Sequence, residues 1–216
     1  MPSNKDHDTR AARQRALSLR PVSRETEHLL TVYERLLREW SKVKNLVAPS
    51  TMDDLWKRHF VDSLQLLDIA SETLKNPVRW IDMGAGAGFP GIVIAIASLS
   101  NSEAEVILVE SDHRKCAFLR AVSRETGVRT LVIHDRIENV AEDLPAVDCV
   151  TARALAPLDA LIRYSEPMLG RGALGLFPKG QHLDDELTGL STYSSLKLQF
   201  VTSLTDPRSR IVLARL

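Results

Sequence analysis

Residues 81–91 read Ile81-Asp82-Met83-Gly84-Ala85-Gly86-Ala87-Gly88-Phe89-Pro90-Gly91, with glycines at alternate positions directly after a short apolar run. Glycine lets a backbone turn sharply and approach a ligand without a side-chain clash. In an open α/β sheet, a turn between the first strand and its helix lies at the carboxyl ends of the strands, where ligands bind. Gly86, Gly88 and Gly91 also fit the G-x-G-x-x-G fingerprint of dinucleotide-binding proteins, so this segment alone does not name its ligand.

From residue 79 onward, short runs rich in Val and Ile alternate with helix-length segments, which is the pattern of a parallel sheet covered on both faces. We predict strands at 79–83, 105–110, 129–134, 147–152 and 173–177, and helices at 90–99, 114–125, 157–169 and 184–190. The last apolar runs, 196–204 and 210–216, are too close for a crossover and should pair antiparallel. The predicted fold is α/β, a Rossmann-type methyltransferase sheet with an antiparallel C-terminal hairpin. A dehydrogenase would more often continue with a second parallel half.

Two helices are predicted before the first strand. Ser23 can cap a helix with one apolar face, formed by Leu29, Tyr33, Leu36, Leu37 and Trp40. Thr51 and Asp54 have the spacing of a capping box for a second helix, which continues through Ile69. Its buried side is predicted to carry Leu55, Phe60, Leu64 and Leu67.

The chain start is rich in basic residues. Residues 1–24 hold six basic and two acidic side chains, a composition typical of a solvated, flexible tail, with a nucleic-acid-binding arm as the alternative. We therefore divide the chain into a flexible basic tail (1–22), an N-terminal helical extension (23–75) and the Rossmann-type core (76–216).

Composition excludes several classes of protein. Of the 216 residues, 44% are hydrophobic and 26% are charged, which fits one substantial folded domain with an appendage. Lys plus Arg and Asp plus Glu number 28 each, so binding to nucleic acid must come from a local patch. The most apolar stretch, 89–99, is about half as long as a membrane-spanning helix. Cys116 and Cys149 cannot form a disulfide framework, and we expect both to be small buried fillers in a cytoplasmic protein.

Two carboxylates favour S-adenosylmethionine as the ligand of the glycine-rich turn. Asp82 directly precedes the turn, and Glu110 closes the second predicted strand, where it can accept hydrogen bonds from both ribose hydroxyls. An NAD-dependent enzyme also needs an acid there, but the roughly 100 remaining residues leave little room for a catalytic half. The alternative for Glu110 is a surface carboxylate paired with Arg114 or Lys115.

The sequence resembles the ribosomal RNA small-subunit methyltransferase G family, once called glucose-inhibited division protein B. The resemblance runs from about Trp40 to Lys179 and appears in separated blocks. These blocks are Trp40 with Asn45-Leu46, Arg58-His59-Phe60-Val61-Asp62-Ser63, Asp82 to Gly91, Arg136-Ile137-Glu138, Arg153-Ala154 and Lys179-Gly180. The Phe-Pro-Gly ending of the glycine-rich turn distinguishes this family from the many methyltransferases that share only the three glycines.

The resemblance implies methyl transfer from S-adenosylmethionine to N7 of a guanine in 16S rRNA. The resemblance further implies a guanine in the decoding region of the small ribosomal subunit, at the nucleotide usually numbered 527 in this family. Carried over by position, the cofactor contacts are Gly84, Phe89, Ile137, Glu138 and Arg153. Asp82, Gly86 and Glu110 join them from the fold argument, although Glu110 stands where Asp is common in the family.

Five residues are candidates for substrate contact. Arg136, Arg153 and Lys179 follow predicted strands at the ligand edge, where they would suit phosphate contact or stacking on the target base. A solvated surface charge is the alternative for each of them. His59 and Asp62 share one helix face, which the family block places at the cleft. Packing of that helix against the sheet is the alternative.

Guanine N7 chemistry needs no general base, and none is assigned. The N7 lone pair carries no proton, so alignment of the reactants can supply most of the catalysis. Methylation of an exocyclic amine usually accompanies an Asn/Asp-Pro-Pro-aromatic loop, whereas residues 151–155 read Thr-Ala-Arg-Ala-Leu. Methylation at pyrimidine C5 requires a cysteine nucleophile, and both cysteines lie in predicted core positions. No metal site is predicted, because no further Cys or His completes a set with His113 and Cys116.

Two rival functions stay open on the sequence alone. The same fold could methylate another RNA position, a protein or a small molecule. A rival from another class is a nucleotide-binding regulatory module without catalysis. Because the net charge is zero, we expect weak, salt-sensitive binding of naked RNA, and therefore a folded ribonucleoprotein as the substrate.

Overall fold

The computed structural model describes residues 4–42, 46–47, 52–187 and 195–216, and side chains from residue 9 onward. Its strands are β1 (Arg79–Met83), β2 (Glu105–Glu110), β3 (Thr130–His134), β4 (Cys149–Ala152), β5 (Leu174–Lys179), β6 (Lys197–Thr202) and β7 (Arg210–Arg215). Within the described residues they form one seven-stranded sheet in the order β3-β2-β1-β4-β5-β7-β6. Strands β1 to β5 pair in parallel, and β7 pairs antiparallel with both β5 and β6. The predicted α/β sheet with an antiparallel C-terminal hairpin is confirmed.

Strand β1 lies at the point where the strand order reverses. It pairs with β2 on one side and β4 on the other, and Met83 is opposite Ala152 in the β1–β4 register. Gly84 and Arg153 therefore leave the sheet side by side. This edge is the crevice in which open α/β sheets bind their ligands.

Helices cover both faces of the sheet. On one face lie α2 (Arg24–Ser41), α3 (Asp62–Thr73), α4 (Gly91–Ala97) and α5 (His113–Thr126), and on the other lie α6 (Ile137–Val140), α7 (Leu158–Gly170) and α8 (Leu183–Leu187). The buried strand residues alternate between the faces, with Trp80 and Leu108 in one layer and Ile81 and Val109 in the other. The predicted last helix, 184–190, extends beyond the described residues at its end. None of the described helices combines the length and the apolar character that a membrane span requires.

The N-terminal segment differs from the flexible tail predicted for residues 1–22. A helix, α1 (Asn4–Leu19), packs on Trp56–Val61, and its Ala16 is buried. The Arg13 guanidinium lies 5.2 Å from the centre of the Trp56 ring, and Arg20 makes a bidentate ion pair with Asp68 at 2.8 and 3.0 Å. These partners are distant in the chain, so the local composition of the segment could not reveal them.

The second predicted helix is wrong in its first turns. Trp56–Val61 form a π-helical turn that leads directly into α3, and the predicted cap, Thr51, lies outside the described residues. Leu55 and Phe60 are both buried, at a spacing of five residues that a π-helical turn brings to one side. A search for a period of 3.6 residues does not detect this change. The turn matters because it carries His59 to the ligand edge.

Candidate active site

The glycine-rich loop is held by a carboxylate from the neighbouring strand. Gly84, Gly86 and Gly88 have positive φ angles of 64°, 58° and 97°. The Glu110 carboxylate accepts a hydrogen bond from the Gly86 N–H at 2.7 Å and another from the Asp112 N–H at 2.8 Å. Glu110 is buried and binds backbone, so it is not the surface partner of Arg114 or Lys115 that the alternative predicted.

Gly84 lies where the loop is most restricted. A Cβ atom at this position would come within 2.5 Å of a Leu155 methyl carbon. Gly84 and Leu155 line a cavity of about 220 Å³ together with Val109, Ser111, Asp135, Arg136, Ile137, Glu138, Ala156 and Tyr164. The structure thus brings the predicted residues Gly84, Ile137 and Glu138 to one cavity. Arg136, predicted to contact the substrate, lines the same cavity and immediately precedes α6.

Asp82 supports the glycine-rich loop from beneath. Its carboxylate is fully buried and accepts a hydrogen bond from the Gly91 N–H at 2.8 Å, with the Thr151 hydroxyl at 3.3 Å. Burial raises the pKa of the Asp82 carboxyl to about 7, despite these two hydrogen bonds. A Cβ at residue 91 would collide with Asp82 and Leu108, which explains the glycine at that position.

Asp82→Asn should make folding stability less sensitive to pH. The folded pKa of about 7 lies above the ordinary value of 3.8, so the native state favours the protonated carboxyl. This contribution to stability is present below pH 3.8 and is lost as pH rises through 7. The Asn side chain stays neutral at every pH. Between pH 3.8 and 7 the free energy of unfolding of the variant should therefore rise relative to that of the wild type by at most about 1.4 kcal/mol per pH unit. Parallel denaturant titrations from pH 4 to 8 measure the difference in free energy of unfolding between the two proteins. A difference that does not change with pH would contradict the raised pKa.

Tyr33 of α2 packs against the glycine-rich loop. The Tyr33 hydroxyl donates a hydrogen bond to the Ala87 carbonyl, and the Tyr33 ring stacks on Phe89 with centroids 5.3 Å apart. A Cβ on Gly88 would come within 2.6 Å of the Tyr33 hydroxyl. The sequence identified Tyr33 only as an apolar helix residue. Its role in fixing Phe89 could not be found from helical spacing, which carries no information about the distant loop.

Arg153 joins the end of β4 to the π-helical turn. Its guanidinium donates to the Arg58 carbonyl at 2.7 Å, lies 2.9 Å from the Nδ1 atom of His59 and 3.5 Å from the Asp62 carboxylate. Three of the predicted substrate residues, Arg153, His59 and Asp62, therefore form one cluster. The His59 ring also packs against the Phe89 ring at 4.7 Å, so the cluster adjoins the glycine-rich loop.

The groups of this cluster that could accept a proton are engaged. One oxygen of Asp62 accepts hydrogen bonds from Gln65 at 2.9 Å and Thr205 at 2.7 Å, and the other faces Arg153. Burial, together with the charges of Arg153 and Arg58, lowers the pKa of His59 to about 3. The imidazole is consequently neutral at physiological pH, and its Nδ1 lone pair faces a cation.

Lys179 makes two contacts within the fold. Its ammonium forms an ion pair with Glu186 at 2.5 Å and donates to the Ala156 carbonyl at 3.1 Å. The same Glu186 oxygen accepts from the Leu158 N–H, so Lys179 ties the end of β5 to α7 and α8. Its side chain is only 10% exposed. These contacts hold Lys179 within the fold, and its contact with phosphate or the target base stays a prediction.

A second cavity adjoins Arg153 and carries several cations. Its volume is about 400 Å³, and its walls come from the π-helical turn, Arg153 and the β6–β7 loop. Lys57 and Arg58 line it and form no side-chain hydrogen bond or ion pair with any residue the structure describes. Arg208 lines it too, paired with Asp206 at 3.2 Å. Three acids, Asp54, Asp62 and Asp206, line it as well, so the four cations leave this cavity a formal charge of only +1.

The two cysteines and the possible metal ligands were compared with the requirements of a nucleophile and of a metal site. Cys116 and Cys149 are buried free thiols, and burial raises the pKa of both, so neither is a ready nucleophile. Over the described ranges, no group of three or more His, Cys, Asp or Glu residues could hold a metal ion.

Comparison with solved structures supports the fold. The cofactor-bound Rv0187 from MTB matches with a TM-score of 0.65 at 14% identity, covering 100% of this chain and 98% of that one. The SAH-bound Podospora anserina methyltransferase PaMTH1 matches with a TM-score of 0.61, also at 14% identity, covering 100% and 97%. At this level of identity the likeness establishes the class I methyltransferase fold.

Comparison with sequences establishes the family. The family model described as rRNA small subunit methyltransferase G matches residues 26–212. A "Ribosomal RNA small subunit methyltransferase G" of Methylorubrum populi is 46% identical over 200 residues, covering 93% of each chain. One from Bradyrhizobium sp. strain BTAi1 is 48% identical over 198 residues, covering 91% of this chain and 87% of that protein. This chain therefore belongs to the rRNA small subunit methyltransferase G family.

Proposed function

We propose that the chain transfers a methyl group from S-adenosylmethionine to N7 of a guanine in 16S rRNA, in the decoding region of the small ribosomal subunit. The names of its relatives indicate that the methyl acceptor is small-subunit rRNA. The N7 atom is what the resemblance to the family implies, and one observation on the site supports it. In the described Arg153 cluster, the side chains that could accept a proton are already engaged by cations or hydrogen-bond donors.

The cavity beside the glycine-rich loop fits S-adenosylmethionine chemically. Gly84 borders it at a point that a Cβ would crowd, and Val109 and Ile137 provide apolar walls for an adenine. The Glu110 carboxylate has acceptor capacity beyond its two backbone partners, which suits ribose hydroxyls. When bound, the cofactor supplies a methyl group on a positively charged sulfur. We propose that it is held by Gly84, Gly86, Phe89, Glu110, Ile137, Glu138 and Arg153, with Asp82 supporting the loop.

The engaged bases of the Arg153 cluster are compatible with the chemistry of N7. The N7 atom has an in-plane lone pair and no proton, so attack on a methyl group releases none. The chain must then align the two reactants, and alignment can lower a barrier by roughly 7 to 11 kcal/mol. Phe89 and Arg153 adjoin the point where β1 and β4 end together, which is where this alignment would occur.

The second cavity, through Lys57 and Arg58, offers a path for the RNA backbone. Lys57 and Arg58 face it without internal ion pairs among the described residues, so both are available to phosphates. Such contacts set the register of an RNA strand without reading its sequence. A small patch on a neutral protein favours an acceptor whose folded shape supplies further contacts, and this supports the assembled subunit over naked rRNA.

The test compares acceptors. Purified protein and cofactor labelled in the methyl group are incubated with small subunits from cells lacking the enzyme, with free 16S rRNA, and with total protein. We expect label in the rRNA of the subunits, less in free rRNA, and none in protein. Label in protein or in no macromolecule would contradict the proposal. Cofactor binding without transfer to any acceptor would favour a regulatory nucleotide-binding module.

A further inference from the structure

We propose that His59 is a specificity-determining residue whose Nε2–H group donates a hydrogen bond to O6 of the target guanine. This inference rests on the proposed function and deepens it, because it names the contact by which the site would tell guanine from adenine. One side-chain atom without a hydrogen-bond partner supports the inference. The Nε2 of His59 is buried and has no hydrogen-bond partner among the described residues.

The neighbours of His59 determine which nitrogen carries the proton. An arginine guanidinium has donors and no acceptors, and the NH1 group of Arg153 lies 2.9 Å from Nδ1 of His59. Nδ1 must therefore accept, and the neutral ring carries its proton on Nε2. The Arg153 cluster thus holds a fixed N–H donor that is closed to solvent and has no acceptor among the described residues. A buried donor without a partner is unfavourable, which is why such groups in native proteins usually have a ligand or functional partner.

The contacts of the His59 ring place the ring at the ligand edge of the sheet. The ring contacts Phe89, at the end of the glycine-rich loop, and Arg153, which directly follows β4. A guanine with N7 directed at the methyl donor presents O6 beside it, and both atoms are acceptors on the same edge of the base. Adenine has an amino group in place of O6, so two donors would face each other. A neutral imidazole reads this difference without adding charge next to a sulfonium.

Two substitutions separate the donor from the rest of the side chain. Asn places its oxygen the same number of bonds from Cβ as Nδ1, so His59→Asn can keep the contact with Arg153 and lose the donor. Gln places its amide nitrogen at the distance of Nε2, so His59→Gln can keep the donor. We expect His59→Asn to lower kcat/KM on small subunits by about 10- to 100-fold, and His59→Gln to retain a larger share.

The decisive readout changes the base as well as the protein. Reconstituted small subunits carry either guanine or 2-aminopurine, which lacks O6, at the methylated position. We expect the kcat/KM of the wild type to be about 10- to 100-fold lower on 2-aminopurine than on guanine. For His59→Asn we expect this ratio of kcat/KM values to be smaller by a factor of at least three. Because the cycle compares both proteins on both bases, the effect of O6 on N7 reactivity cancels. Equal losses by the two proteins would overturn the proposal.

Cofactor binding by the variants separates a contact with the base from a contact with the cofactor. Calorimetry with S-adenosylhomocysteine measures the affinity of each variant. A loss of affinity in His59→Asn as large as the loss of kcat/KM would assign Nε2 to the cofactor and overturn the base contact. Wild-type transfer to the guanine subunits tests the proposed function separately. If that transfer occurs at N7 and the cycle shows no coupling, only the His59 inference fails.

Discussion

Gly84→Asp should abolish binding of S-adenosylhomocysteine, with a loss of affinity of more than about 100-fold. Residue 84 has φ of +64°, and its Cβ would meet Leu155 at the wall of the proposed cofactor cavity. Asp would add a charged side chain at the closest approach of the loop to the ligand, where a polar group loses solvent without a partner. Isothermal calorimetry measures the affinity, and circular dichroism checks the fold. Leu155 is 38% exposed and can move aside, so we expect the variant to fold.

Gly127→Ala is the matched control for backbone strain. Gly127 ends α5 with φ of +69°, close to that of Gly84, and a Cβ there would meet nothing within 4 Å. A non-glycine residue in this conformation costs about 1 kcal/mol of stability. We expect Gly127→Ala to lose this amount and to bind S-adenosylhomocysteine normally. Retained binding by Gly84→Asp would show that the loop is not the cofactor site.

Arg153→Ala should reduce methyl transfer by about 100-fold or more, while lowering stability by only about 1 to 3 kcal/mol. The substitution removes the donor that orients His59 and the cation that faces Asp62. Asp62 keeps its bonds from Gln65 and Thr205, so the fold should survive. A domain with several kcal/mol of remaining stability is almost entirely folded, so unfolding could not explain the loss of activity.

The measurements for Arg153 pair single-turnover methyl transfer with denaturant unfolding. Arg153→Lys serves as the conservative variant, because its ammonium can still donate to His59 and neutralise Asp62. We expect it to restore part of the transfer rate. If the activity lost by Arg153→Ala matched the fraction unfolded at the assay temperature, Arg153 would be a structural residue only.

The sheet could be predicted from the sequence because its signals are local. Alternating runs of apolar residues set β1 and β2 at their observed bounds, and β3, β4 and β5 differ by one or two residues at their ends. The short spacing of residues 205–209 was enough to predict the antiparallel pairing of β6 and β7. The antiparallel insertion of β7 between β5 and β6 depends on contacts across the sheet, which no local pattern carries.

The parts that the sequence could not predict depend on distant partners. α1 is held by Arg13 on Trp56 and Arg20 on Asp68, contacts that local composition does not encode. The π-helical turn breaks the period of 3.6 on which the second helix was predicted. Lys179 resembled a ligand-edge cation by position, but its ion pair with Glu186 is made across the fold.

The candidate site was predictable in outline. We could locate the loop from the glycine spacing and from the positions of Asp82 and Glu110. Glycines and acids at the ends of strands are typical of a ligand-binding loop. The separate roles of Asp82 and Glu110 could not be predicted from the sequence. Asp82 lies under the loop, and Glu110 also binds the backbone of Gly86. The cluster of His59, Asp62 and Arg153 joins residues almost 100 positions apart, and the family blocks could indicate only that they belong to the site.

The most direct test of methyl transfer to guanine N7 is nucleoside mass spectrometry. Small ribosomal subunits from cells lacking the enzyme are incubated with the purified protein and labelled S-adenosylmethionine, and their 16S rRNA is digested to nucleosides. The structure and the family together predict labelled 7-methylguanosine in this digest and none when Gly84→Asp replaces the wild type. Label in any other nucleoside, or no label although the cofactor binds, would contradict the assignment.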